Sequence, residues 1–110
     1  MIFDKEGNTT IVFQEKPDIA TFLDNFKNGY PKIKSDHIIL NLFSFKKLTA
    51  NDILEFLDIS NRHRSSLKSF VIVTEVLSYD DIPDEISVAP SIQEAKDIIE
   101  MEEIERELDL

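Results

Sequence analysis

His37-Ile38-Ile39-Leu40-Asn41-Leu42, followed after a short loop by Leu48-Thr49-Ala50-Asn51-Asp52-Ile53, is the stretch on which the fold turns. The first run is apolar on both of its alternating faces, the pattern of a strand covered on both sides in the middle of a sheet. The second run carries the parts of a helix start. Thr49 is a capping residue, Asp52 follows three positions later near the positive helix end, and Leu48 is placed to staple onto Ile53. This second helix is expected to run to about Arg64, with Arg62, His63 and Arg64 in its last turn as cations beside the exposed carbonyls.

On the N-terminal side, short apolar segments between Met1 and Gln14 flank Gly7-Asn8, a turn dipeptide, and predict a two-stranded hairpin with Ile11 and Phe13 on one face. Pro17 suits a first helical turn. Ile19, Phe22, Leu23, Phe26 and Tyr30 then follow at helical spacing until Asn28-Gly29 supplies a stop. On the C-terminal side, Phe70 to Thr74, rich in β-branched residues, reads as a strand, and Tyr79 to Glu85 as a loop or one short helical turn around Pro83. Ile86 and Val88 mark a last short strand, and Ser91 with Glu94 opens a final helix through Ala95, Ile98 and Ile99. The expected order is β-β-α-β-α-β-β-α: an α/β fold with a mixed β-sheet, helices packed on it, and one domain over residues 1–110. Residues 101–110 are expected to form an acidic C-terminal helix extension.

The composition fits one core and narrows the chemistry. With 42% hydrophobic residues in 110 and only two glycines, the chain can bury a core without staples. It has no cysteine, so disulfides, thiolate metal sites and cysteine nucleophiles are out of reach. A formal net charge of -10 repels phosphate backbones and anionic membrane surfaces, so no direct nucleic-acid ligand and no membrane partner are expected. No apolar run approaches about 18 residues, and Met1 to Thr10 has no basic run followed by an apolar block. A soluble, cytoplasmic protein is expected.

Catalytic and cofactor motifs are missing. His37 and His63 are the two histidines, 26 residues apart, without HxHxDH or HExxH spacing for a hydrolytic metal. Gly7 and Gly29 cannot build a phosphate-cradling glycine loop. Ser65 and Ser66 lack a GxSxG elbow, and Asp80, Asp81, Asp84 and Glu85 form a solvated acidic stretch without a matched base. The expectation is no catalytic residue, no metal, no cofactor and no enzyme activity.

The strand His37 to Leu42, its loop and the helix start at Thr49-Ala50-Asn51-Asp52 resemble the STAS family, the anti-sigma-factor-antagonist fold. The resemblance covers roughly residues 9 to 100 and includes the hairpin, the first helix, Phe70 to Thr74, and Val88-Ala89-Pro90-Ser91-Ile92-Gln93-Glu94-Ala95. In that family the loop commonly carries Asp-Ser-Ser-Gly or Asp-Ser-Thr-Gly, and the helix begins at a regulatory serine. The aligned position here is Ala50, which has no hydroxyl. The resemblance therefore implies a protein-protein interaction or regulatory module, binding a regulatory protein, without the usual phosphorylatable serine. Thr49 would be the phosphosite if the register slipped by one, although its capping role already explains it. The chain is also similar to short bacterial proteins called ribonuclease Z, which end in a similar acidic segment to Ile98-Ile99-Glu100-Met101-Glu102-Glu103-Ile104-Glu105. That resemblance implies an RNA-processing role, as an accessory to a nuclease rather than as the nuclease.

Two surfaces follow from spacing. Phe43 and Phe45 straddle Ser44, so in an extended loop both rings point the same way, with Lys46 and Lys47 at the rim and Thr49 and Asn51 beyond. The second surface is the last helix. At about 100° per residue, Ile92, Ala95, Ile98 and Ile99 make one stripe, while Met101, Ile104 and Leu108 fall nearly opposite it. Either the helix bends or frays near Glu100, or the second stripe is offered to another chain, as a helix-in-groove contact or a homodimer. Residues 91–110 hold eight acids and two bases, so a partner groove should be basic around an apolar centre.

Overall fold

The computed structural model describes residues 1–14 and 18–109. Pro17, expected in a first helical turn, lies outside them. The order is β1 (Ile2–Glu6), β2 (Thr9–Phe13), α1 (Ile19–Ile33), β3 (His37–Asn41), α2 (Ala50–Leu54), α3 (Leu57–Ser65), β4 (Phe70–Val73), a single 3-10 turn at Tyr79–Asp81, β5 (Ser87–Ala89) and α4 (Ile92–Leu108). Among the described residues, five strands form one mixed sheet in the spatial order β1-β2-β3-β4-β5. The hairpin β1–β2 is antiparallel, turned at Gly7 with φ +61°, and the remaining neighbours are parallel.

Side-chain alternation divides the core in two. Val12, Ile38, Leu40, Phe70 and Ile72 face α1, α2 and α3, where they meet Phe22, Phe26, Ile53, Phe56 and Ile59. Ile11, Ile39, Val71, Val73 and Ala89 face the other way, onto Ala95 and Ile99 of α4. β3 is fully buried at its apolar positions because both layers cover it.

Two helix boundaries differ from the sequence reading. α1 does not stop at Asn28-Gly29 but continues through Gly29 and Pro31 to Ile33. Gly29 serves a close approach instead: a Cβ there would stand 2.5 Å from the ring tip of Phe3 on β1. Pro31 removes one helical donor, a cost of about 3 kcal/mol in an isolated helix, yet Tyr30 and buried Ile33 hold the last turn in place. The second helix is split. Phe56 N–H donates to Ile53 O at 2.9 Å, an i→i−3 closure. The step seats the Phe56 ring against Phe22 and Phe26, with centroids 6.2 and 6.3 Å away. α3 ends at Ser65, and Leu67 adopts φ +65° just past the helix.

Candidate functional site

The loop after β3 is turned rather than extended. Asn41 Oδ1 accepts the Phe43 N–H at 3.0 Å, and Phe45 N–H donates to Leu42 O at 3.0 Å. Ser44 Oγ adds a hydrogen bond to Gln14 O at 3.2 Å. The tightened backbone sends the two rings in opposite directions, correcting the shared-face reading. Phe45 is 5% exposed and packs edge-on against Phe22 with centroids 5.5 Å apart, whereas Phe43 is 43% exposed. The Lys46 ammonium lies 4.7 Å from the centre of the Phe43 ring, a contact worth about 0.5–1 kcal/mol at an exposed position.

Beside this loop is a cavity of about 360 Å³ lined by Ile19, Ser44, Phe45, Lys46, Lys47, Leu48 and Asp52. Its floor is apolar, from Ile19, Phe45 and Leu48, and its rim carries two cations and the Asp52 carboxylate. Thr49 and Asp52 form a reciprocal capping box: Asp52 N–H donates to Thr49 Oγ1 at 3.2 Å, and Thr49 N–H donates to Asp52 Oδ2 at 3.0 Å. A phosphate on Thr49 would break this box and stand against Asp52. Asn51 is exposed in the first turn of α2. Phe43, Lys46, Lys47, Thr49 and Asn51 thus lie on one exposed segment, and Phe45 supports it from the core.

α4 is continuous from Ile92 to Leu108, with Ser91 Oγ accepting the Glu94 N–H at 3.1 Å. The helix runs unbroken through Glu100 into the second stripe. Met101, Ile104 and Leu108 are exposed by 60, 50 and 80%.

A polar cluster under that half of α4 was not legible as a unit in the sequence. Ser69 N–H donates to His37 Nδ1 at 2.9 Å, which leaves the ring proton on Nε2, 2.8 Å from Glu103 Oε1. His63 Nε2 lies 2.8 Å from Asp36 O, an acceptor, so it carries the proton there, and its Nδ1 accepts from the Tyr30 hydroxyl at 2.7 Å. Arg106 Nη2 donates to Ser69 Oγ at 3.1 Å and lies 3.8 Å from Glu102, which is also 3.8 Å from Arg64. Arg106 Nη1 is buried without a partner among the described residues, a cost set against these bonds.

Both imidazoles are buried and neutral, and burial pushes both below the ordinary histidine range. Glu103 partly opposes this at His37, as does the hydrogen bond to Asp36 at His63, while Lys68 and Arg106 reinforce it at both. His63 is therefore not the helix-end cation expected from the sequence. Every ring nitrogen is engaged, so neither histidine has a lone pair free for a metal or substrate. Among the described residues no group of three or more His, Asp or Glu is placed to hold a metal ion, and no helix is long and apolar enough to cross a membrane. No protein-family model matches the chain, and no curated protein matches its sequence.

Proposed function

We propose that this chain is a non-enzymatic, cytoplasmic STAS-like interaction module that binds a regulatory protein through the Phe43–Lys47 loop and the start of α2. Ala50 stands where the family's regulatory serine would be, so binding is not switched by phosphorylation at that residue. The observation that carries the reading is the exposed Phe43 ring under the Lys46 ammonium, beside an apolar-floored cavity with Lys47 on its rim. An aromatic anchor with basic neighbours, in a chain of net charge -10, suits a partner that offers an apolar side chain beside carboxylates. The edge hairpin, the parallel strands beyond it and the capped helix after β3 support the STAS-like assignment.

The test is affinity capture from the native lysate, quantified by mass spectrometry, with wild type beside Phe43→Asp and Lys46→Glu/Lys47→Glu. These side chains are exposed, so the variants keep the fold. A regulatory protein recovered by wild type and lost from both variants is the expected result. Recovery of the same proteins by all three, or metal-dependent cleavage of precursor tRNA 3′ ends by the purified chain, would contradict the proposal.

A further inference from the structure

The core stripe of α4, Ile92, Ala95 and Ile99, continues at about 100° per residue onto Glu102, Glu103 and Arg106. These are the side chains that hold His37, Arg64 and Ser69. The C-terminal half of the helix is thus turned inside out, polar inward and apolar outward, and three contacts, to β3, to α3 and to Ser69 just before β4, fix its rotation. The outward stripe has the i, i+3, i+7 spacing of helix-in-groove anchors and spans about 10 Å along the axis.

We propose that this outer face of α4 docks a basic amphipathic helix of a partner protein. Charge decides the occupant. Glu94, Asp97, Glu100, Glu105 and Glu107 surround Met101, Ile104 and Leu108, all exposed and none in an ion pair among the described residues. The two cations of α4 are turned away from them: Lys96 is tied to Glu6 at 2.9 Å, and Arg106 faces inward. A second copy would set these acids against their own kind, and an anionic bilayer would be repelled in the same way. A helix with leucine-like anchors and flanking lysines or arginines satisfies both the stripe and its border. α4 covers the sheet face opposite the Phe45 layer, so this docking face stands independently of the loop surface.

The probe is a fluorescent synthetic peptide with leucines at i, i+3 and i+7 and lysines between them, followed by anisotropy and by amide chemical shifts of the full chain. One control peptide keeps the leucines with glutamates, and another keeps the lysines with serines. The leucine–lysine peptide is expected to shift amides around residues 101–108. Its affinity should fall at least about tenfold, or 1.4 kcal/mol, for Met101→Gln/Ile104→Gln/Leu108→Gln and for either control peptide. Glu100→Gln/Glu105→Gln/Glu107→Gln, which leaves the stripe intact, should also weaken it. Equal binding by the stripe variant or by the lysine–serine peptide would overturn the proposal. So would a stripe-dependent dimer in light scattering, or stripe-dependent binding to vesicles of anionic phospholipid.

Discussion

The two halves of α4 share one helix and opposite solutions to packing. Residues 92–99 bury Ala95 and Ile99 against Ile11, Ile39, Val71 and Val73, as an amphipathic helix on a sheet does. Residues 102–108 place carboxylates and a guanidinium inward and leave their apolar side chains in water. Burial alone explains the first half. The second needs specific hydrogen-bond partners, and its apolar residues contribute little to the isolated domain. The comparison teaches that polar contacts on one face can set the rotation of a helix whose other face leaves apolar side chains exposed.

Substitutions should separate the halves by size of effect. Ile99→Ala leaves a cavity against the sheet and should cost about 2–5 kcal/mol, read as a lower urea midpoint. Glu103→Ala strips the buried His37 Nε2–H of its acceptor and should cost about 1–3 kcal/mol. A loss under Glu103→Ala as large as under Ile99→Ala would blur the contrast. Ser91→Ala removes the cap from the first half and should cost about 1 kcal/mol. Ile104→Gln, on the outer face, should stay within about 0.5 kcal/mol of wild type.

Acid should weaken the fold. His37 and His63 are held neutral in the fold, with proton affinities lowered by burial. The unfolded chain takes up protons as pH falls through about 6.5, while the folded chain takes them up only at lower pH, so the unfolded state binds more protons and stability drops as pH falls below that value. Urea midpoints at pH 7.5 and 5.5 should show this loss, and His37→Gln should reduce it. An unchanged midpoint across that range would contradict the neutral assignment.

What was legible in the sequence was local. Gly7-Asn8 marks its turn, Thr49 and Asp52 mark their capping box, and the opposed stripes of α4 are visible in its periodicity. The misreadings arise where distant contacts overrule local preference. Asn28-Gly29 looks like a helix stop, but Phe3 and His63, far along the chain, keep α1 going. Phe43 and Phe45 look like neighbours on one face, but hydrogen bonds to Asn41 and Leu42 and from Ser44 turn the loop between them. His37, Ser69 and Glu103 meet only through the parallel register of β3 with β4 and the docking of α4. No spacing in the chain announces that cluster, so periodicity alone leaves open whether the helix bends or frays near Glu100 or offers its second stripe to another chain.

Amide hydrogen exchange along α4, measured residue by residue by NMR, tests the anchored second half most directly. Amides of residues 102–107 should be protected to a degree comparable with residues 96–100, and Glu103→Ala/Arg106→Ala should release the former while sparing the latter. Exchange of residues 102–107 at unprotected rates in the wild-type chain would contradict the account, because the apolar stripe would then belong to a frayed tail and not to a face held in place.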